Sequence, residues 1–290
     1  KYQEVEFLIV ADDMTALRLF ESGQVDMLIG IPVLDLPRMA KSKDFKVFEQ
    51  IINSYLGFNI SQAPFNDPRV RSAFAHATDR EEIAKILGGG KKASQSWIHS
   101  KLRKTKTAVG LGYDVAKARK LLAEAGFPEG KGFPKFTFAT NISDENRMLA
   151  ERLQSMWKTN LGVEADIELE TWKTYLSRVR SGNPPTIFRM GIGSTSFEQF
   201  DFAYQFVSTS PSNYGKWTNS KYDELVMQAS TKSPRELSTA EQGYTSAQKI
   251  LIENEAAIIP LFESGLPMLL NEKFARLRVN GRSKYLLKDL

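Results

Sequence analysis

The sequence predicts an α/β fold, and three features of the chain lead to that class. Short apolar runs of strand length alternate along the chain with segments whose apolar residues recur at helical spacing. With 290 residues, 42% of them hydrophobic, the chain can bury one large core or two lobes, and we expect two lobes. The longest clean apolar runs, such as AAIIPLF, are too short to cross a bilayer.

The composition excludes several kinds of site. Cysteine is absent, so disulfides, thiolate metal sites and cysteine nucleophiles are absent too. The net charge is +5, but the basic residues are mixed with acidic ones, so we expect a mildly basic solvated surface and no nucleic-acid partner. The chain begins at Lys1 with neither Met nor a signal-peptide pattern, so we expect that Lys1 is not the native start.

The N-terminal region predicts a βαβ unit. VEFLIV and VDMLIGI have the pattern of buried strands, and DDMTALRLFESG between them is typical of a helix. Asp12 or Asp13 caps that helix and Gly23 ends it. Such a short crossover implies that the two strands are parallel.

A charged stretch from Phe65 to Ile83 follows a Pro-punctuated helix and the apolar segment NSYLGFNI. Asp67 with Pro68 begins one helix, and Asp79 with Glu82 has the pattern of a capping box that begins the next. Val70, Ala73, Phe74 and Ala77 fall at helical spacing, which leaves Arg69, Arg71, Ser72 and His76 for other faces or the rim. We therefore interpret the charges, His76 included, as structural rather than catalytic.

The α/β alternation continues through the rest of the chain. Helices are predicted over DVAKARKLLAEAGF, from Asp144 to Gly162, and over YDELVMQA and YTSAQKILIEN, and strands over FPKFTFAT, VEADIELE and AIIPLF. Alternate residues of VEADIELE are acidic, and such a row on a strand face is usually solvated rather than metal-binding. The acids concerned are Glu164, Asp166, Glu168 and Glu170.

Six segments taken in order resemble one family, the oligopeptide, dipeptide and nickel class (family 5) of extracytoplasmic solute-binding proteins of ABC importers. They are ESGQVDML, YLGFNISQAPFNDPRVRSAFAHATDREEI, DVAKARKLLAEAGF, MWKTNLGVEADIELETWKTYL, SNYGKWTNSKYDEL and AAIIPLF. The resemblance covers all 290 residues and is most specific from Asn59 to Ile83.

The resemblance implies a periplasmic-binding-protein-like fold with two α/β lobes joined by a hinge. This chain matches only the second half of the family, with the complete second lobe at 59–262 and parts of the first lobe at 1–58 and 263–290. It implies noncatalytic capture of a peptide or peptide-like solute between the lobes, outside the inner membrane, and delivery to an ABC permease. No cofactor or metal is implied, and self-association is expected where the missing half leaves surface uncovered.

The resemblance also indicates ligand-binding positions. Trp172 matches a pocket aromatic residue, and Arg189 falls where some relatives meet a peptide carboxylate. The family's amine-pairing Asp falls at Thr195, which puts free peptide amines in doubt, although Glu198 or Asp201 are possible substitutes. Three residues of SNYGKW are further candidates: Asn213, Tyr214 and Trp217.

Four other interpretations stay open. One is a hydrolase that uses Asp201 and Glu198 as paired carboxylates. Others are a receptor or chaperone without an import role, and a binder of a non-peptide solute such as an opine, a sugar conjugate or a metal chelate. Nickel or haem binding ranks below peptides, because His76 and His99 lack metal-ligand spacing.

Overall fold

The computed structural model describes residues 4–105, 108–274, 276–282 and 284, which form a mixed α/β fold as predicted. The helices are α1 (Asp13–Glu21), α2 (Leu36–Met39), α3 (Pro68–His76), α4 (Arg80–Leu87), α5 (Val115–Glu124), α6 (Asp144–Leu161), α7 (Trp172–Arg180), α8 (Gln199–Ala203), α9 (Ser220–Ser230) and α10 (Leu237–Gln248). The strands are β1 (Met27–Ile29), β2 (Phe45–Phe58), β3 (Lys92–Ala93), β4 (Phe136–Asn141), β5 (Ala165–Glu170), β6 (Ile187–Gly193) and β7 (Ile258–Leu270). No helix within the described ranges is long and apolar enough to cross a membrane.

The seven strands in the described part of the chain belong to one sheet. Its order is β1-β7-β2-β6-β4-β5, and β3 adds to β7. Strand β4 runs parallel to both β5 and β6, while the other pairs are antiparallel. The carboxyl ends of β4, β5 and β6 therefore lie at one end of the sheet.

Helices cover both faces of the sheet because neighbouring strand residues point to opposite sides. Leu56 and Ile187 pack with the residues of α3 to α6 in one core. Tyr55 and Phe188, one position away, pack with α7 to α10 in another. Each core is rich in aromatic rings, and each aromatic side chain buries a large area.

The predicted helix starts are confirmed. The carboxylates of Asp12, Asp67, Asp79 and Asp114 each accept a hydrogen bond from a backbone N–H in the first turn of the following helix. Three glycines that directly follow helices have positive φ angles, a conformation that glycine adopts without strain: Gly23, Gly88 and Gly126.

The predicted N-terminal βαβ unit is wrong. Residues 4–10 form no strand, and Phe7, Leu8 and Ile9 are exposed rather than buried. β1 pairs antiparallel with β7 instead of parallel with an earlier strand. A strand needs a neighbour for its backbone groups, and the described residues offer none to 4–10.

Arg71 and His76, which were expected on other faces of the helix or at the rim, are instead buried. The Arg71 guanidinium is buried and donates to the backbone carbonyls of Phe65, Glu255 and Ala256. The His76 ring is buried with Nδ1 2.6 Å from the Gly112 carbonyl oxygen. Helical periodicity does not reveal such partners, because they come from distant parts of the chain.

Strands β2 and β7 are 14 and 13 residues long and link two groups of hydrophobic residues. One end of the pair packs with α1, β1 and α2, including Leu17 and Leu36, and the other end packs in the large cores. The β2–β7 register shifts between Glu49 and Asn53. The predicted division into lobes stays a prediction, and the last residues of its 263–290 segment, 285–290, lie outside the described residues.

A long irregular segment after β3 is held by buried acceptors. Gln248 Oε1 accepts from the backbone N–H groups of Trp97 and Ile98, and Glu263 Oε1 accepts from that of Ser100 at 2.6 Å. Glu241 accepts from the N–H groups of Lys104 and Thr105. Side chains thus replace the strand neighbours that this backbone lacks.

Candidate functional site

The candidate site lies where β6 has an unpaired edge. Along one side, β6 pairs with β2 over its whole length, from Ile187 to Gly193. Along the other side it pairs with β4 only at Ile187 and Phe188. Beyond that point Gly191 and Gly193 are exposed, so backbone that no described strand covers faces outward.

Two glycines leave one face of β6 with few side chains. Side chains alternate along a strand, so Arg189, Gly191 and Gly193 share one face, while Phe188 and Met190 are buried on the other. Because Gly191 and Gly193 carry no side chains, a second backbone can approach closely there.

Arg189 is the charged group of this face. Its Nε donates to Ser54 Oγ at 3.0 Å, and Ser54 is buried on the neighbouring strand β2. The hydroxyl of Tyr175 donates to the Arg189 carbonyl oxygen at 2.6 Å and so fixes the strand from the α7 side. Arg189 forms no ion pair with any described residue, which leaves a guanidinium able to receive an anion.

The turn that follows β6 is organised by Asp201. Its carboxylate accepts hydrogen bonds from the hydroxyl of Ser194 and from both the hydroxyl and the backbone N–H of Thr195 and Ser196. Burial alone would raise the pKa of Asp201, but the hydrogen bonds from these residues outweigh it and lower the pKa to about 2.

Thr195, the predicted amine-pairing position, lies in this turn and is exposed. Its hydroxyl donates to Asp201 at 3.0 Å, so both residues are engaged with each other. Asp201, which the sequence offered as a substitute carboxylate, therefore binds its own turn. Glu198, the other substitute, is exposed next to α8.

Trp172 lies at the carboxyl end of β5 and begins α7. Its ring is 53% exposed and stands 6.2 Å from that of Tyr175. Ile142, which sequence reasoning missed, is 54% exposed, and its N–H donates to the carbonyl oxygen of Glu170, two residues before Trp172. An apolar residue between a strand end and the capping residue Ser143 was the signal that could have identified it.

The remaining predicted residues are buried: Asn213, Tyr214 and Trp217. The Asn213 side chain donates to the Trp217 carbonyl oxygen at 2.6 Å. The ring of Tyr214 lies 6.5 Å from that of Phe188, and the ring of Trp217 lies 5.0 Å from that of Tyr222. These contacts hold the loop against the core, and ligand contact by these three residues stays a prediction.

The described residues contain no group of three acidic or histidine side chains that could hold a metal ion. Glu168 and Glu170 bind Arg178, and Glu164 binds Lys158. His99 is buried, with Nε2 3.6 Å from Glu263 Oε2. Burial lowers the pKa of His99, while the Glu263 carboxylate acts in the opposite direction.

A groove of about 400 Å³ lies elsewhere, beside β3. It is lined by charged residues that include Arg80 and Glu263. Arg80 donates to the carbonyl oxygens of Pro260, Ala75 and Thr78, and Glu263 accepts from Ser100. Since these groups already serve the fold, we place the candidate site at β6.

Comparisons with known proteins agree with the fold. A periplasmic oligopeptide-binding protein (OppAIV) of Borrelia burgdorferi superposes with a TM-score of 0.84 at 24% identity, over 92% of this chain and 53% of that one. The likeness shows a shared fold.

Sequence relatives point the same way. The chain is 28% identical to the periplasmic murein peptide-binding protein MppA of Escherichia coli, over 90% of this chain and 49% of that protein. It is also 28% identical to the probable deoxycholate-binding periplasmic protein YgiS of Escherichia coli, over 92% of this chain and 50% of that protein. The chain thus spans about half the length of these relatives.

The family model for the middle region of bacterial extracellular solute-binding proteins, family 5, matches residues 1–214. This match covers the unpaired part of β6, Arg189 and the turn held by Asp201. The chain belongs to the bacterial extracellular solute-binding proteins of family 5, as the order of its sequence segments predicted.

Proposed function

We propose that this chain forms one side of the ligand cleft in the solute-binding component of an ABC importer, and that the ligand is a peptide or a peptide-like solute. The unpaired edge of β6 carries this proposal. An extended peptide can add to an exposed sheet edge through main-chain hydrogen bonds, which are independent of its side chains.

Arg189 and the apolar pair Ile142 and Trp172 supply the contacts around that edge. A guanidinium binds a carboxylate with paired hydrogen bonds, so Arg189 suits an acidic group of the ligand. Exposed aromatic and aliphatic side chains are typical of the walls of small-molecule sites. The name of MppA, a murein peptide-binding relative, supports a peptide-like ligand.

The mechanism that we propose is capture without a covalent step. The ligand binds between two lobes, and closure about β2 and β7 gives the membrane permease a surface that the open form lacks. The proposed mechanism requires a protein outside the inner membrane, and the names of the periplasmic relatives support that location. A hydrolytic pair of Asp201 and Glu198 gains no support, because the Asp201 carboxylate is bound to its own turn.

Native mass spectrometry of the purified gene product tests this function. We expect a bound mass that leaves on denaturation and that fragments as a peptide. Arg189→Gln should reduce the occupied fraction, whereas Arg180→Gln, an exposed arginine at the end of α7, should leave it unchanged. Equal occupancy in all three proteins, or an empty cleft, would contradict the proposal.

A non-peptide solute is the second candidate, and the name of YgiS, a probable deoxycholate-binding periplasmic protein, favours it. The same measurement separates the two, because a steroid or sugar conjugate gives no peptide fragments.

We also propose that the chain self-associates in isolation through the exposed apolar residues Phe7, Leu8 and Ile9.

A further inference from the structure

Ile51 on β2 lies where two distant segments of the chain meet. The register between β2 and β7 shifts between Glu49 and Asn53, and Ile51 falls inside that interval. Its carbonyl oxygen accepts a hydrogen bond from the backbone N–H of Ser194, in the turn that follows β6, at 2.9 Å. Its own N–H donates to the carbonyl oxygen of Gly281 at 2.9 Å. One strand residue thus joins the turn after β6 to the C-terminal segment.

A second contact between these two segments is the cation–π pair of Phe197 and Arg282. The Arg282 guanidinium carbon lies 4.7 Å from the centre of the Phe197 ring, and Phe197 is 41% exposed. Gly281 fits closely beside this pair, because a Cβ built on it would lie 2.9 Å from Ile51 Cγ1 and 3.0 Å from Phe197 Cε1. The C-terminal segment therefore holds both the strand and the turn.

Phe197 has a strained backbone conformation. Its φ angle is +64°, in the left-handed region that bulky residues rarely adopt. Its N–H donates to Ser194 Oγ at 2.9 Å, and the Ser194 hydroxyl donates to Asp201. Strained residues persist only where surrounding contacts hold them, and they are frequent in segments that switch. The contact with Arg282 is one of the restraints on this residue.

These contacts link the two groups of hydrophobic residues that β2 and β7 connect. At one end, Leu277 of the C-terminal segment is buried with Met268 and Leu270 of β7. At the other end, Phe202, in the helix that follows the β6 turn, is buried in the core that contains Tyr55. A change in the angle between the two ends must therefore strain or break the contacts at Ile51 and Phe197.

We propose that Gly281 and Arg282 form a latch on Ile51 and Phe197, and that this latch releases when the two ends of β2 and β7 move relative to each other during ligand capture. The role of the latch rests on the proposed function and adds to it the contact that controls closure. One hydrogen bond and one exposed cation–π pair can break in such a motion, and relief of the strain at Phe197 favours release.

Amide hydrogen exchange of the full chain, measured at Ile51, tests the latch. Arg282→Gln removes the cation and should speed exchange of the Ile51 amide by about tenfold, because its hydrogen bond to Gly281 then opens more often. Arg278→Gln removes an exposed arginine of the same segment and should change the rate by less than about twofold. Equal rates in wild type and Arg282→Gln would overturn the inference.

Phe197→Asn separates the ring from the strained backbone, since asparagine tolerates the left-handed conformation but has no ring. It should speed exchange at Ile51 as Arg282→Gln does. The double variant should be no faster than either single variant, because both remove the same contact. Effects that multiply in the double variant would show two independent causes and would contradict the latch.

A distance measurement shows whether the latch controls movement between the two ends. The chain has no cysteine, so spin labels can be attached through Leu34→Cys, in the loop before α2, and Met227→Cys on α9, both at exposed positions. In pulsed electron paramagnetic resonance, we expect Arg282→Gln to give a distance distribution about twofold broader than that of Arg278→Gln. Equal distributions would mean that the contacts serve local packing only, and the inference would fail.

Neither experiment requires a ligand. A failed latch therefore leaves the proposed peptide capture standing, since the bound mass in native mass spectrometry tests that function separately. An empty cleft in native mass spectrometry would instead overturn the role of the latch in capture, whatever the exchange rates and distances are.

Discussion

At the scale of single residues, Asp201 holds three consecutive residues with one carboxylate. Asp201→Asn keeps the size but replaces one acceptor oxygen with a donor, which then faces N–H and O–H groups of Ser194, Thr195 and Ser196. We expect the free energy of unfolding to fall by about 1 to 3 kcal/mol, the usual effect of unpairing polar groups. Denaturant unfolding measures this, with Asp166→Asn on the exposed face of β5 as the control.

The same residue gives a pH dependence whose sign follows from its lowered pKa. The pKa of Asp201 is about 2 in the folded chain, against an ordinary value of 3.8. The unfolded chain binds the proton more readily, so the stabilisation is complete above about pH 4 and is lost as pH falls toward 2. Unfolding curves between pH 5 and pH 2 should converge for wild type and Asp201→Asn, and a constant gap would contradict this assignment.

At the scale of elements, the contact between β2 and β6 depends on a glycine. A Cβ built on Gly57 would lie 2.3 Å from the Phe188 ring, and Phe188 is buried. We expect Gly57→Ala to lower the free energy of unfolding by about 1 to 3 kcal/mol, as overpacked cores do.

Gly191→Ala on β6 is the matched control for this prediction. Its Cβ would meet nothing closer than 3.7 Å, so its effect should stay within about 0.5 kcal/mol. Thermal or denaturant unfolding of both variants measures the two changes in the free energy of unfolding. Equal losses would mean that the two strands are not packed as the structure has them.

Most elements could be predicted from the sequence because their signals are local. Two helix starts are examples, because each is marked by residues only a few positions apart: Asp67 with Pro68, and Asp79 with Glu82. Strand pairing is not local, so neither the missing neighbour of residues 4–10 nor the early divergence of β4 from β6 could be found. Trp172 and Arg189 were predicted by resemblance, and their contact with a ligand stays a prediction. The engagement of Asp201 with its own turn could be seen only in the folded loop.

At the scale of the whole molecule, the exposed segment near the N-terminus should govern association. Phe7, Leu8 and Ile9 are 59%, 54% and 99% exposed, more than isolated soluble chains usually show in consecutive apolar residues. We expect light scattering on the isolated chain to show a mass that grows with concentration. Ser substitutions at Leu8 and Ile9 should restore the monomer, whereas Ile86→Ser on α4 should not.

The irregular segment that follows β3 has a consequence for hydrogen exchange. Its amides at Trp97, Ile98 and Ser100 donate to the side chains of Gln248 and Glu263, which are buried. An amide exchanges with solvent only when its hydrogen bond opens, and these acceptors belong to core elements. Although the segment has no regular secondary structure, these protons should exchange as slowly as those of the central strands, and it should unfold with the core.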